Sequence, residues 1–313
     1  MTKRLLLALT LLLVVLTACQ QQAAPTTGQA FVGGTEGLTV KFLSGLPPAE
    51  VFDVENPFQI ALEIENKGEH VIANAQDVDV SITGISPSDF GVSASNLLAN
   101  SPEPIRGASI DVATGNIIAG DIVTIDSFPE LKYQKTVAGS VQFPVRANVC
   151  YEYGTRAQGK LCVRRELRTA DASGLCNPTR DLPAENSGAP VQMINIRQTV
   201  SGADRIDFFF TIKQMGVSSD SVHKTGTSCD TVISNNGVVY VEVENTGLGE
   251  LSCSGLRDGT ATSGYVTLID GQREIRCSQR ISAPSDFEKI INVNLKYAYQ
   301  EYVDTTLTVK QSR

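Results

Sequence analysis

Val141-Gln-Phe-Pro-Val-Arg-Ala-Asn-Val-Cys-Tyr-Glu-Tyr153 carries an apolar side chain at every second position. Successive side chains of a strand point to opposite faces, so Val141, Phe143, Val145, Ala147, Val149, Tyr151 and Tyr153 share a buried face. Cys150 then lies on the outward face. Lys160-Leu-Cys-Val163 keeps the same phase, with Leu161 and Val163 inward and Cys162 outward. A hairpin turning near Arg156 sets Cys150 across from Cys162, where a cross-strand disulfide is expected.

The same alternation recurs along the chain. Phe58, Ile60, Leu62 and Ile64 share one phase, as do Val78, Val80 and Ile82, and Ile206, Phe208, Phe210 and Ile212. Val239, Val241 and Val243 repeat it, followed by Ile291, Val293, Leu295, Tyr297 and Tyr299, with Leu307 and Val309 last. Gly, Pro, Asn and Ser clusters separate these runs, and no run of helical period stands between them to make parallel crossovers. The pattern predicts an all-β chain of antiparallel β-sandwiches.

An internal repeat divides it in two. Asn148-Val-Cys-Tyr-Glu-Tyr…Leu161-Cys-Val163 aligns without gaps on Asn294-Leu-Lys-Tyr-Ala-Tyr…Leu307-Thr-Val309, with Asn, both Tyr, Leu and Val coinciding. Lys296 and Thr308 fall on the positions of Cys150 and Cys162, a substitution that fits the expected disulfide. Each block closes a domain-sized stretch, giving one sandwich over 37–168 and another over 189–313. Residues 169–188, rich in Asp, Ser, Asn and Pro, read as the connector.

The amino terminus is an address. Lys3 and Arg4 precede an apolar run from Leu5 to Leu16, followed by Thr17-Ala18-Cys19. A charged start, a short apolar core and small residues before a cut site make a signal peptide over 1–18. The apolar run falls short of the roughly 20 residues that span a bilayer. Leu16-Thr-Ala-Cys19 resembles the lipobox of prokaryotic lipoproteins, which implies that Cys19 becomes the first mature residue and carries the lipid. Residues 19–36 follow as a polar tether. The expected location is extracytoplasmic, lipid-anchored to the cell membrane.

The chain of 313 residues has a net charge of −8, and loss of Lys3 and Arg4 with the leader makes it −10. That balance argues against a nucleic-acid partner. Beyond Cys19, the even set Cys150, Cys162, Cys176, Cys229, Cys253 and Cys277 reads as three disulfides in an oxidising compartment. After Cys150–Cys162, the shortest loops give Cys253–Cys277 and Cys176–Cys229. The absence of CxxC speaks against zinc and against a redox dithiol.

Glu63-Ile-Glu-Asn-Lys-Gly68 and Glu242-Val-Glu-Asn-Thr-Gly247 each end a strand in Glu-Asn-x-Gly. This is similar to CARDB-like and related Ig-like modules of prokaryotic, chiefly archaeal, surface proteins, where the glycine turns the chain through positive φ. The resemblance implies tandem Ig-like domains engaged in adhesion, spacing or assembly, and transfers no catalytic residues.

Chemistry is thinly marked. His70 and His223, the only histidines, fall after a strand-ending glycine and in the polar stretch Ser218 to Ser228, and both are expected at the surface. No Gly-x-Ser-x-Gly, phosphate loop or calcium loop is present. The paired carboxylates Glu63/Glu65, Asp77/Asp79 and Glu242/Glu244 fit solvated strand faces. The long connections Ser86–Gly120 and Met215–Gly237 and the outward aromatics Phe209 and Tyr240 are candidate contact surfaces. The resulting expectation is a non-enzymatic, cofactor-free surface module that contacts a surface protein or polymer. A ligand-binding lipoprotein with a pocket at the domain junction, and a secreted hydrolase, are the alternatives.

Overall fold

A computed structural model describes residues 30–164, 176, 181–216, 221–282 and 285–312. The signal peptide, Cys19 and most of the tether lie outside the described residues. Residues 31–313 form one compact unit.

The fold is all-β, in several antiparallel sheets. In the first half the strands are β1 (Leu38–Phe42), β2 (Glu50–Phe52), β3 (Leu62–Asn66), β4 (Val78–Thr83) and β5 (Leu98–Asn100). They continue as β6 (Ser109–Ile110), β7 (Ile117–Ile118), β8 (Ile122–Ile125) and β9 (Ser140–Val163). The second half holds β10 (Glu185–Asn186), β11 (Val191–Val200), β12 (Arg205–Gln214), β13 (Val222–His223) and β14 (Val238–Val243). It ends with β15 (Leu251–Ser254), β16 (Ser263–Thr267), β17 (Gln272–Arg280) and β18 (Phe287–Lys310).

One long sheet runs β16-β14-β18-β9-β4-β5, with β2, β10 and β13 attached. A three-stranded sheet, β1-β3-β8, and a four-stranded one, β11-β12-β17-β15, supply further layers. Their inward residues (Leu38, Leu62, Ile64, Phe208, Phe210 and Ile212) belong to the same buried core as Val149, Tyr151, Val293 and Leu295 of the long sheet. The period-2 phase read from the sequence is the phase of burial.

The two halves meet along β9 and β18. These are single strands of 24 residues each, paired antiparallel over their full length. At about 3.4 Å per residue the shared seam is roughly 80 Å long. Tyr151 faces Tyr299 and Tyr153 faces Tyr297, with Glu152 opposite Ala298 at the centre. Since the repeat aligns Tyr151 with Tyr297 and Tyr153 with Tyr299, this register is that of a local two-fold through the Glu152/Ala298 pair. The strands beside the seam obey it, β4 and β5 on one side matching β14 and β16 on the other.

The tyrosines tie the layers together at that axis. Leu38 N donates to Tyr151 Oη (3.1 Å), and Thr155 Oγ1 donates to Val191 O (2.5 Å) while sharing a hydrogen bond with Tyr297 Oη (3.0 Å). Tyr151 thus secures the start of β1, and Tyr297 with Thr155 the start of β11. Tyr153 Oη donates to Asn66 Oδ1 at the end of β3 (2.9 Å), and the Tyr299 hydroxyl is hydrogen-bonded to Gln214 at the end of β12.

The expected hairpin near Arg156 is absent, because β9 continues straight through it. The two glycines that flank it, Gly154 and Gly159, serve close packing. A Cβ on Gly154 would stand 3.0 Å from His70 Nδ1, and one on Gly159 would stand 2.0 Å from Ile196 Cδ1. Cys150 and Cys162, twelve residues apart on one strand, are therefore roughly 40 Å distant and cannot pair. The disulfides are Cys150–Cys229, Cys162–Cys176 and Cys253–Cys277. Cys253–Cys277 is the expected pair, joining register partners of β15 and β17. Cys176–Cys229 is corrected: the two outward cysteines of β9 take different partners, Cys150 bonding Cys229 and Cys162 bonding Cys176.

Gly68 departs from the Glu-Asn-x-Gly reading as well. Gly247 does turn at φ 74°, but Gly68 is absent from the positive-φ positions and is needed for space. The two motifs also end non-equivalent strands, β3 and β14.

Candidate functional site

Glu152 and Cys150 project from the outer face of β9 and hold one loop between them. Glu152 Oε1 accepts from Gly226 N and its Oε2 from Thr225 Oγ1, each at 2.6 Å, and Cys150 bonds Cys229. Ser228 and Cys229 adopt φ of 46° and 49°, left-handed conformations that side chains other than glycine's disfavour. The loop is thus clamped at both ends of a strained turn.

Two clefts of about 430 Å³ each flank this disulfide. One is lined by Asp77, Asp79, Glu152 and Thr225, the other by Ser81, Leu98, Asn148 and Gln300. Their carboxylates are already engaged. Asn74 Nδ2 donates to Asp77 (3.0 Å) and Asn100 Nδ2 to Asp79 (2.8 Å). Among the described residues no group of three His, Cys, Asp or Glu side chains has a metal-binding arrangement. The chemistry on offer is polar and acidic recognition in an open cleft.

The histidines lie elsewhere. His70 packs edge-on to Tyr153 at 5.0 Å, and burial, then the charge of Arg156, lowers its pKa and keeps the imidazole neutral. His223, expected in an exposed loop, is only 4% exposed, in β13 opposite Ala298. Neither of its ring nitrogens has a hydrogen-bond partner among the described residues.

No protein-family model matches the chain, and no curated protein does. Among solved structures, envelope protein VP37 from White Spot Syndrome Virus is 8% identical and covers 47% of this chain and 98% of its own, at a TM-score of 0.23.

The outer face of the four-stranded sheet presents Phe209 between two guanidiniums. Arg197 lies 4.7 Å and Arg276 5.8 Å from the ring centroid. Arg276 pairs with Asp207 (2.5 Å) and Arg197 with Glu274 (3.1 Å), so the stacking cations are neutralised locally. Phe209 therefore sits on a sheet surface, at a cation–π site. Tyr240 meets Tyr265 at 5.0 Å on the outer face of the long sheet, with Lys224 Nζ 4.6 Å from the Tyr265 ring.

Glu301 is a titratable group that sequence reasoning passed over. It follows Tyr297 and Tyr299 in the same strand phase, a carboxylate where the alternation calls for an apolar residue. Burial, reinforced by the charge of Glu36, raises its pKa from 4.5 to about 7. A carboxyl whose folded pKa lies above its unfolded one contributes stability below the unfolded value and loses it as pH rises through the folded value. The wild-type chain is therefore expected to lose up to about 3 kcal/mol between pH 4.5 and 8 from this group. Glu301→Gln should flatten that slope and leave the variant more stable at pH 8. Denaturant titrations of both chains across this range check it; parallel curves would refute it.

Proposed function

We propose that the chain is a lipid-anchored, extracytoplasmic surface protein that acts as a stiff, non-enzymatic interaction or adhesion module. The observation that carries this reading is the pairing of β9 with β18 throughout their length. A seam of that kind transmits force from one half to the other through a continuous hydrogen-bonded ladder, as a spacer requires. The three disulfides suit an oxidising exterior. The engaged carboxylates and the buried His223 favour recognition over acid–base catalysis. The lipobox sequence at Leu16–Cys19 is the ground for reading it as a prokaryotic surface lipoprotein. Of the two Glu-Asn-x-Gly strand ends only the second, at Gly247, turns as the CARDB-like resemblance implies.

The anchor is tested at Cys19. Expressed in a bacterial host that processes lipoproteins, the wild-type chain should yield an amino-terminal Cys19 peptide carrying a lipid adduct. Cys19→Ser should move the protein out of the membrane fraction. Unmodified Cys19 in a processed, soluble product would overturn the anchor. For the module itself, cross-linking on intact cells should recover one surface partner at a near-constant ratio. Recovery of the chain alone would leave it without a binding role.

A further inference from the structure

We infer that the hairpin formed by β6 and β7 is a membrane-contact element, dipping its apolar tip into the leaflet that holds the amino-terminal lipid. The inference rests on the anchor proposed above, and a separate observation supports it. Ser109 pairs with Ile118 and Ile110 with Ile117, and the turn between them projects Val112 fully into solvent. Ile117 and Ile118 are 63% and 53% exposed, and Ile122 at the hairpin's root is 57% exposed. From Gly107 to Gly120 the only charged residue is Asp111, whose carboxylate is occupied by Ala113 N (2.8 Å) and Thr114 N (3.2 Å). Branched aliphatic side chains clustered at a nearly uncharged tip are costly in water and favourable at the boundary of headgroups and acyl chains.

The occupant is indicated by where the amino-terminal segment joins the fold. Ala108 N donates to Gly68 O (2.7 Å), and Gly107 lies so close to Glu69 that a Cβ there would stand 2.5 Å from its carbonyl carbon. The Glu69 carboxylate in turn accepts from Gly33 N at 2.9 Å. The hairpin therefore springs from the same place at which the chain enters the body, two residues after Phe31. Residues 20–30, even fully extended, span no more than roughly 40 Å from Cys19. A body held that closely, with its apolar hairpin rooted at the point of attachment, has the leaflet as the nearest apolar phase for that tip.

The chain has no tryptophan, so one introduced indole reports alone. Six of its seven cysteines form the disulfides, leaving Cys19 for coupling to a maleimide lipid in phosphatidylcholine vesicles. With the full chain tethered in this way, V112W should emit further to the blue, and brominated acyl chains should quench it, as burial at the headgroup–acyl boundary requires. I233W, at a residue 86% exposed in another loop, should stay water-like. Water-like emission from tethered V112W, or equal quenching at both positions, overturns the inference. A blue shift that grows with protein concentration without vesicles identifies a second copy as the occupant and overturns it too. Because the coupling imposes the tether, the outcome is separable from the anchor: quenching here with unmodified Cys19 in cells removes the anchor alone, and the reverse pattern removes the hairpin contact alone.

Discussion

Gly216→Ala is expected to destabilise the protein, and Tyr299→Phe in the same chain is expected to remove most of that penalty. A Cβ on Gly216 would stand 2.4 Å from the Tyr299 hydroxyl oxygen, and the next neighbour is the ring carbon at 3.7 Å. The hydroxyl alone is in the way. Overpacking of this kind costs about 1–3 kcal/mol. Tyr299→Phe by itself gives up hydrogen bonds to Gln214 and Ser221, about 1 kcal/mol. The double variant should then resemble Tyr299→Phe alone, with a coupling energy of about 1–2 kcal/mol in a double-mutant cycle.

Gly68, at the matching end of β3, behaves differently. Its Cβ would stand 2.1 Å from Tyr153 Oη, but also 2.4 Å from Gly188 O and 2.7 Å from Glu36 O. Backbone carbonyls cannot rotate aside. Gly68→Ala should cost about 3 kcal/mol or more, and Tyr153→Phe should not restore it. Urea titrations of the two cycles decide the matter. Rescue at Gly68, or none at Gly216, would mean that the tyrosine hydroxyls are not what the two glycines accommodate.

That contrast also marks what could be read from the sequence. Strand phase was legible throughout, because burial on one face imposes a period of two whatever the partner. The repeat was legible because the same Tyr-x-Tyr secures equivalent strand ends in both halves. The continuation of β9 through Gly154 and Gly159 was not. A glycine that admits His70 or Ile196 and a glycine that turns the chain look alike in one sequence, and only the third dimension separates them. Reading a turn there put Cys150 beside Cys162 and gave two of three disulfides the wrong partners. The clefts beside Cys150 were hidden for the same reason, since Asp79, Glu152 and Thr225 are brought together by strand order and a crossing loop. Glu301 was open to discovery as a break in an apolar phase.

Replacing both Cys150 and Cys229 with serine should cost the most of any disulfide removal. Its cysteines are 79 residues apart, against 24 for Cys253–Cys277 and 14 for Cys162–Cys176. Closing the longest loop removes the most entropy from the unfolded chain, about 4 kcal/mol against about 3 for the shortest. The folded state widens the gap. Cys253 and Cys277 are register partners on strands already hydrogen-bonded, so their pairing survives the loss of sulfur. Cys229 instead follows Ser228 in a strained turn that is tied to β9 by the Cys150 disulfide and the Glu152 clamp. Guanidinium unfolding of the three double-serine variants tests the order. Non-reducing peptide mapping of the wild type should first recover the Cys150 peptide linked to Cys229. If the Cys253/Cys277 variant were the least stable, local strain and not loop closure would govern, and the covered face of β9 would owe its loop to Glu152 instead of the disulfide.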